Sequence, residues 1–411
     1  MKITVQKFGG SSVADAVRIQ KVANRIIQTK KPGEGLVVVV SAMGDTTDEL
    51  IDLAQQLNPA PPEREMDQLI STGEQISSAL LAMTLEAGGA KAVSLTGNQV
   101  GIQTDDSHTK ARIFKIDPGK MIEELEQDRI VVVAGFQGIN LKKDVTTLGR
   151  GGSDTTAVAL AAVLDAASCE IYTDVDGVYT ADPRIVPGAF KIERICYDEM
   201  LELASLGTKV IQNRAVEFAK KFDVVLHVRS SFHDGPGTLV TEEVEDMSME
   251  QVVIRGVSLN QEEAKLTITL VPDKPGIAAR IFKSIAEANI NVDMIIQNVS
   301  AQGFTDVSFT VPRPELAKTS SLLEKIAREI EAGEVSVEEK IAKVSIVGVG
   351  MKSHPGVAAT MFETLAREKI NIMMISTSEI KISCVVRAED GERAVRALHT
   401  AFGLDREEEA G

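Results

Sequence analysis

Cysteine is scarce in this chain of 411 residues. The three that occur, Cys169, Cys196 and Cys384, lie far apart, and no two have the close spacing typical of a disulfide framework or a zinc site. We therefore interpret them as buried structural thiols. We assign no metal-binding residues from the sequence.

Positive charge is also in short supply, because 44 lysines and arginines are set against 60 aspartates and glutamates, giving a formal net charge of −16. A protein that binds nucleic acid or an anionic membrane needs a basic surface to displace counterions. Apolar runs are short, and none reaches the length of a membrane-spanning helix. The sequence therefore predicts a cytoplasmic protein that binds neither nucleic acid nor membranes.

Two signatures of nucleotide-binding proteins are missing as well. The chain has no Gly-x-x-x-x-Gly-Lys-Ser/Thr loop, and it lacks the motif set of the protein kinases. These absences disfavour the P-loop and the protein-kinase classes.

The length of the chain predicts two or three domains. Up to about residue 230, short β-branched runs alternate with amphipathic segments, which favours an α/β domain over residues 1–232, with a mostly parallel sheet sandwiched by helices. The predicted strands are Ile3–Gln6, Leu36–Val40, Ala92–Leu95, Ile130–Ala134, Glu170–Tyr172 and Val224–Val228. The predicted helices are Val13–Thr29, Glu65–Glu86 and Thr155–Leu164.

A linker and an internal repeat follow this region. Residues 233–251 contain a Gly-Pro-Gly turn and an acidic stretch, which are typical of a linker. Beyond it, Pro275–Ala279 recurs as Pro355–Ala359, with similar strand and helix patterns around each copy. We therefore expect two α+β domains, over residues 252–340 and 341–411. A duplication without a ligand-binding role is the alternative.

The first predicted strand ends in the glycine-rich segment Lys7–Ser12, and a helix follows it. Glycines let a backbone approach a phosphate closely, amides at a helix start attract the anion, and Lys7 adds a full positive charge. The segment therefore predicts phosphate binding. The alternative is a strand-to-helix turn that needs glycine only for its geometry.

Arg150 is flanked by glycines ahead of a Ser-Asp helix start. Its guanidinium suits a forked contact with a carboxylate, while the backbone amides at the helix start attract negative charge. Asp154 either caps the helix or orients Lys7 or a magnesium ion during phosphoryl transfer.

Two further segments lie at the ends of predicted strands. Ser41–Thr47 follows the second strand, at the edge where open α/β sheets bind ligands, although Thr46 or Thr47 could simply cap a helix. Tyr172–Arg184 offers polar groups for a ribose and a base, although its Asp-Gly and Asp-Pro pairs are also plain turn formers.

Together these motifs resemble those of the aspartokinase family, in the same order. The tandem repeat resembles a pair of ACT domains, so the resemblance covers essentially the whole chain. It rests on the segments Lys7–Val13, Ser41–Gly44, Ser71–Glu74, Ala134–Phe136, Thr147–Asp154 and Tyr172–Arg184. It implies an amino-acid kinase fold followed by two α+β ferredoxin-like ACT domains, and an enzyme that acts on L-aspartate with ATP and Mg²⁺.

The resemblance also implies roles for single residues. Lys7 would contact the transferring phosphate, Asp154 would orient the reacting groups, and Arg150 would grip the α-carboxylate of aspartate. Glu74 would bind the ammonium group of aspartate. The remaining substrate contacts would be Ser41, Thr47, Phe136, Gly151, Gly152 and Ser153. The nucleotide contacts would be Lys7, Gly9, Gly10, Thr173, Asp174, Tyr179, Asp182, Arg184 and Lys209.

Two departures and two alternatives accompany this resemblance. Ser11 stands where many members have threonine, and Gln212 and Asn213 stand where histidine and proline are frequent. A kinase of the same fold that acts on glutamate, acetylglutamate or a nucleoside monophosphate is one alternative. A catalytically silent amino-acid sensor is the other.

In the ACT region the resemblance implies feedback inhibition by lysine and threonine. This region most resembles that of family members that the two amino acids inhibit together. A strand at 252–259 would complete the second ACT unit. The protein would form a homo-oligomer, or an α₂β₂ assembly with a small ACT-only subunit from an internal start near Met247 or Met249. The candidate effector contacts are Asp273, Lys274, Gly276, Ile277, Ala278, Asn291, Asp293, Gln297, Asn298, Ser378 and Glu379.

Overall fold

The computed structural model describes residues 1–205, 210–242, 253–298, 303–349, 351 and 356–405. They form two compact units. The first is drawn from Met1–Val178 and Lys191–Met249, and the second from Tyr179–Phe190 and Glu250–Gly411. The first predicted domain, residues 1–232, thus contains a segment that groups with the second unit.

The first unit alternates strands with helices. Its helices are α1 (Ala16–Thr29), α2 (Thr46–Leu57), α3 (Glu63–Ile70), α4 (Thr72–Ala87), α5 (Gly119–Glu126), α6 (Gly152–Val163), α7 (Tyr197–Ser205) and α8 (Asn213–Phe222), with a 3₁₀ turn at Gly10–Val13. The strands up to the end of this unit are β1 (Ile3–Phe8), β2 (Gly35–Val40), β3 (Ala92–Leu95), β4 (Ile102–Thr104), β5 (Ile113–Ile116), β6 (Ile130–Ala134), β7 (Gln137–Ile139), β8 (Val145–Thr147), β9 (Ser168–Thr173), β10 (Val178–Tyr179), β11 (Lys191–Ile192), β12 (Arg194–Cys196), β13 (Leu226–Ser230) and β14 (Thr238–Thr241).

The large sheet of this unit has the strand order β12-β14-β13-β9-β1-β2-β6-β3. β1 runs parallel to β2 and β9, and β2 runs parallel to β6. In register, Phe8 lies opposite both Val40 and Tyr172, and Val40 lies opposite Ala134. Because the carboxyl ends of parallel strands meet at one edge, the loops after β1, β2, β6 and β9 are gathered there.

Buried β-branched strands explain why this sheet forms the core. Every residue of β2 and β6 is buried, as expected for parallel strands covered on both faces. Leu36, Val38 and Val40 pack in one cluster with Ile26 of α1 and Leu81 of α4. The apolar helix α6 also packs on the sheet, against β1, β2 and β9. The predicted α/β class is confirmed.

Three details differ from the sequence-based expectation. The predicted helix Glu65–Glu86 is two helices, α3 and α4, because the chain turns at Ser71, whose carbonyl accepts a hydrogen bond from the Gln137 side chain at 2.8 Å. A second sheet, of order β5-β4-β7-β8, had no prediction. β14 lies inside the predicted linker and pairs antiparallel with β13, so the first unit continues through it.

The second unit contains two sheets and four helices among its described residues. Its helices are α9 (Ile277–Glu287), α10 (Leu316–Glu329), α11 (Val357–Arg367) and α12 (Gly391–Ala401), with 3₁₀ turns at Arg313–Glu315 and Ala388–Asp390. Its further strands are β15 (Val253–Asn260), β16 (Glu263–Pro272), β17 (Ile295–Gln297), β18 (Phe304–Pro312), β19 (Val335–Glu338), β20 (Ile341–Val349), β21 (Met374–Thr377) and β22 (Lys381–Arg387).

Each sheet of this unit is antiparallel. The orders are β17-β18-β16-β19 and β15-β20-β22-β21. β15 pairs with β20 in the second sheet, although β16 and the whole first sheet follow it in sequence. The first ACT-like module contains the sheet β17-β18-β16-β19, and the second contains the sheet β15-β20-β22-β21. The two modules are therefore interleaved along the chain.

Residues 179–190 pack on the second module of this unit. Thr180 accepts a backbone hydrogen bond from Val257 at 2.7 Å, and its hydroxyl lies 2.9 Å from Nε2 of the fully buried His399. Ala181 and Val186 join the apolar cluster of that module.

No described helix combines the length and apolar character that crossing a bilayer requires.

Candidate active site

A buried ion pair lies at the carboxyl edge of the large sheet. Lys7 is the penultimate residue of β1, and its Nζ lies 2.6 Å from Oδ1 of Asp154, with side-chain exposures of 11% and 9%. Asp154 sits in the first turn of α6, whose N-cap is Gly151. Asp154 is therefore not the N-cap residue, and its carboxylate is paired with the ammonium of Lys7.

The loops after β1 and β2 contact each other through backbone atoms. Gly10 accepts a hydrogen bond from the N–H of Gly44 at 3.1 Å, and a Cβ at Gly10 would come 2.9 Å from the carbonyl of Ala42. A Cβ at Gly9 would lie 3.4 Å from Nζ of Lys7. These glycines keep the space beside the lysine free of side chains, as a phosphate-binding turn requires.

Glu74 is a buried carboxylate whose charge is incompletely satisfied. It is 3% exposed, and Oε1 accepts the N–H of Ala42 at 3.1 Å. Oε2 is buried and has no hydrogen-bond partner among the described residues. Burial raises the pKa of Glu74 to about 7, against the lowering effect of backbone hydrogen bonds. The side chain is suited to receive a cationic group.

The loop after β6 meets the start of α6. A Cβ at Gly135 would lie 2.9 Å from Oγ of Ser153, and one at Gly152 would lie 2.7 Å from the ring of Phe136. Phe136 has a φ of 70°, and its N–H donates to the hydroxyl of Thr156 at 3.1 Å. The structure thus brings Phe136, Gly152 and Ser153 together beside the Lys7–Asp154 pair.

Arg150 lies exposed in a turn between two left-handed glycines. Gly149 and Gly151 have φ values of 77° and 67°. A Cβ at Gly151 would come 1.7 Å from Cγ of Gln212, so only glycine fits there. The turn leaves Arg150 exposed just before the helix start that carries Asp154.

Ser41 and Thr47 lie on the loop and helix after β2. The carbonyl of Ser41 accepts a hydrogen bond from the hydroxyl of Ser77 at 2.7 Å. α2 begins at Thr46 after Asp45, so neither Thr46 nor Thr47 is the N-cap residue. Both threonines are half-buried at the amino end of α2, on the ligand-binding edge.

Comparison with known proteins identifies the families that this chain matches. A model of the amino acid kinase family matches residues 2–230, and a model of the ACT domain matches residues 269–325 and 344–402. An aspartate kinase of Pseudomonas putida is 58% identical over 405 residues, covering 98% of this chain and 98% of that protein. The chain belongs to the aspartokinase family.

Two solved structures of E. coli aspartokinase III extend the likeness to three dimensions. The complex with aspartate and ADP, in the R-state, has a TM-score of 0.83 at 27% identity and covers 97% of this chain and 99% of that chain. The complex with lysine and aspartate, in the T-state, has a TM-score of 0.74 with the same identity and coverage. As a member of the aspartokinase family, the chain is an ATP-dependent phosphotransferase with a carboxylate acceptor.

The nucleotide contacts implied by the family resemblance fall into three groups. Thr173 ends β9, and its hydroxyl donates to Oδ1 of Asp174 at 3.0 Å, on the edge that carries Lys7. Tyr179, Asp182 and Arg184 belong to the second unit, where the guanidinium of Arg184 forks onto the Asp182 carboxylate with a shortest contact of 2.7 Å. Lys209 lies outside the described residues.

Most of the candidate effector contacts lie around α9 and the strands that flank it, whereas Ser378 and Glu379 lie between β21 and β22. Gly276, with a φ of 94°, caps α9, which begins with Ile277 and Ala278. The N–H of Asp273 donates to Gly303 O at 2.9 Å. Lys274, Asn291, Gln297, Asn298, Ser378 and Glu379 all lie in described loops or strand ends of the second unit. Most of the corresponding loop of the second module, residues 352–355, lies outside the described residues.

Asp293, one of these effector contacts, already pairs with a cation. Its carboxylate contacts the ammonium of Lys343, which also lies 2.6 Å from Oε1 of Glu263. Asp293 therefore joins the two modules of the second unit.

Sequence reasoning missed a residue that braces the Arg150 turn. The guanidinium of Arg214 donates to Leu148 O and to Ala111 O, each at 2.9 Å. Burial lowers the pKa of Arg214, and neighbouring Arg112 adds to this effect. The only sequence signal was its position two residues after Gln212, at the start of α8.

Proposed function

We propose that the chain transfers the γ-phosphoryl group of ATP to the β-carboxylate of L-aspartate, giving 4-phospho-L-aspartate. The observation that carries this proposal is the buried Lys7–Asp154 pair at the carboxyl ends of the central strands, beside the helix start that follows Arg150. It supports phosphoryl transfer because a cation and helix amides are held ready at one edge. The E. coli structure with aspartate and ADP supports both substrates.

In this mechanism the protein aligns charges and needs no general base. A carboxylate acceptor is already ionised at neutral pH. Lys7, oriented by Asp154, neutralises charge on the transferring group, while Gly9 and Gly10 leave room for the phosphates. Positioning and electrostatic stabilisation then supply the rate enhancement.

Mg²⁺ fits this site only as a companion of ATP. The described residues contain no group of three acidic, histidine or cysteine side chains that could hold a metal. Magnesium is usually held by one or two carboxylates, water and substrate phosphates, so Asp154 would supply the protein's carboxylate. The ion would neutralise charge on the phosphates.

Arg150 and Glu74 define the acceptor in this proposal. The guanidinium would fork onto the α-carboxylate, and the unpartnered Oε2 of Glu74 would accept the ammonium. Ser41, Thr47, Phe136, Gly151, Gly152 and Ser153 would complete the pocket. The nucleotide would extend from Gly9 and Gly10 to Thr173 and Asp174, with Tyr179, Asp182, Arg184 and Lys209 as further proposed contacts.

An assay with a choice of acceptors tests the proposal. ATP-dependent hydroxamate formation should occur with aspartate and be far weaker with glutamate or acetylglutamate. A preference for either of those acids would assign the chain to another carboxylate kinase. Phosphorylation of no acid, together with failure to bind ATP, would favour a silent sensor.

For regulation, we propose feedback inhibition by lysine and threonine acting together through the ACT modules, in a cytoplasmic enzyme at the first step of lysine, threonine and methionine synthesis. The lysine complex of the E. coli enzyme supports an effector of this chemistry. Assays with each amino acid alone and with both would test it. Inhibition by the pair that is no stronger than by one alone would contradict it.

For assembly, we propose either a homo-oligomer or an α₂β₂ complex with an ACT-only subunit that starts near Met247 or Met249. Both methionines lie outside the described residues. Mass spectrometry of the protein purified from its native gene tests the internal start. A single polypeptide of full length would contradict it.

A further inference from the structure

A fully buried carboxylate lies beside the turn that carries Arg150. Asp67, on α3, has no exposed surface and accepts hydrogen bonds from three residues outside its helix. The hydroxyl of Thr147 lies 2.5 Å from its Oδ1, and the N–H of Thr109 lies 3.0 and 3.1 Å from its two oxygens. Nδ1 of His108 lies 2.7 Å from Oδ2. Because a buried charge is stable only when it is hydrogen-bonded, these contacts hold three separate chain segments together.

The backbone of Thr109 needs this support. Its φ of 64° is in the left-handed region, which β-branched residues rarely adopt. Its N–H is directed at both oxygens of Asp67. The carboxylate therefore stabilises a conformation that threonine would otherwise avoid.

The loop around Thr109 lies directly against the Arg150 turn. The N–H of Ala111 donates to Thr147 O at 2.9 Å. A Cβ at Gly149 would lie 3.1 Å from the carbonyl of Thr109. With the Arg214 bridge to Leu148 and Ala111, these contacts leave the residues just before Arg150 little freedom.

We propose that Asp67 is a positioning residue for acceptor binding. By holding Thr147 and Thr109, its carboxylate fixes Leu148 and Gly149 so that the guanidinium of Arg150 meets the carboxylate of the acceptor. Asp67 is itself buried and acts only through Arg150. This inference rests on the proposed function, because it assumes that Arg150 binds the acceptor.

The test is a comparison of KM values in the full-length protein. Asp67→Asn replaces a pure acceptor with a group that also donates, so at least one of its hydrogen bonds must be lost. We expect the KM for aspartate to rise by about tenfold or more, while the KM for ATP changes by about twofold or less, since a bidentate carboxylate contact depends on geometry. The kinetics should be measured at saturating levels of the other substrate.

Glu124 offers a matched control for this substitution. It lies on α5 and is also buried in the first unit, where it pairs with Lys120 of the same helix and with Arg129, just before β6 and away from the carboxyl end of that strand. Glu124→Gln makes the same change of carboxylate to amide. It should lower thermal stability without changing the ratio of the two KM values.

A second pair of variants tests the inference even if Asp67→Asn fails to fold. Thr147→Val removes the hydroxyl that donates to Asp67 and keeps the shape of the side chain, and it should also raise the KM for aspartate selectively. Thr147→Ser restores the hydroxyl and should restore a low KM for aspartate.

The inference is overturned if the wild-type enzyme phosphorylates aspartate but Asp67→Asn and Thr147→Val leave its KM for aspartate unchanged. Equal rises in the KM values for aspartate and ATP would overturn it too, since they would indicate a general structural role. If the wild-type enzyme does not phosphorylate aspartate, the proposed function itself fails, and this inference fails with it.

Discussion

At the scale of single residues, the site is built from charges that the fold holds mostly out of water. Lys7 and Asp154 are each about nine-tenths buried, and Glu74 is almost fully buried. Burying charged groups is costly, and such groups with shifted or paired charges are concentrated at functional sites. We therefore expect substitution of each of these residues to have a measurable effect on catalysis or binding.

Lys7→Ala should reduce kcat by about 10³-fold or more and change the KM for aspartate little, because Lys7 acts on charge that develops on the transferring group. Steady-state kinetics with both substrates measures this. Lys30→Ala is the control, since it removes a lysine that pairs with Asp128 at 2.7 Å on the surface of the same unit. Near-normal turnover in Lys7→Ala would show that Lys7 has no catalytic role.

Glu74 should make acceptor binding depend on pH. Its pKa of about 7 means that the carboxyl group is neutral below that pH and ionised above it. Only the ionised form attracts an ammonium group, so the KM for aspartate should fall as the pH rises from about 6 to about 8. Glu74→Gln should have a high KM that is independent of pH over this range. A wild-type KM without pH dependence would contradict the assignment.

At the scale of elements, the turn before α6 depends on glycines at particular backbone angles. Gly151→Ala places a Cβ within 1.7 Å of Gln212 and also strains a backbone with a φ of 67°. The strain alone costs about 1–2 kcal/mol. Activity should fall by more than about tenfold, because the turn carries Arg150. Adding Gln212→Gly removes both Cγ and the Cβ that would lie 2.4 Å away, so it should relieve the collision and recover part of the loss.

Gly33→Ala is the matched control for this substitution. Gly33 has a φ of 77°, and no atom lies within 4 Å of the position that a Cβ would take, so alanine there meets only the backbone strain. Its effect on thermal stability should be smaller than that of Gly151→Ala, and its kinetics should be unchanged. Equal effects of the two substitutions would show that Gln212 does not restrict position 151.

The elements also show what the sequence can and cannot predict. Six of the eight strands of the large sheet, all but β12 and β14, and the Arg150 segment were predictable because β-branched runs and flanking glycines are local signals. The small sheet was not, because its strands have only three or four residues and no sustained alternation. Asp67 was missed because Thr147, its hydrogen-bond partner, is 80 residues away in the chain.

At the scale of the whole molecule, the second unit joins its two modules through a buried lysine. Lys343 of β20 contacts Glu263 of β16 and Asp293 before β17. Burial lowers the pKa of Lys343, but the two carboxylates outweigh this effect, so its pKa is raised overall. The repeat was predictable from the sequence. The packing of residues 179–190 was not, since Thr180 and its partner His399 are 219 residues apart.

Lys343→Met should destabilise the protein by about 3–5 kcal/mol, because it leaves Glu263 buried without its cation. Adding Glu263→Gln should recover part of this loss. Denaturant unfolding of the full chain measures both. Arg280→Met, which breaks the exposed ion pair with Glu329, is the control and should cost less than about 1 kcal/mol. A comparable loss in the two single variants would mean that the buried cluster contributes no more than a surface pair.

The most direct test of the account is a crystal structure with aspartate and a non-hydrolysable ATP analogue. The account predicts that the guanidinium of Arg150 forks onto the α-carboxylate, that Oε2 of Glu74 accepts the ammonium, and that Nζ of Lys7 contacts the γ-phosphate. A structure in which both ligands bind but Arg150 and Lys7 contact neither of them would contradict it.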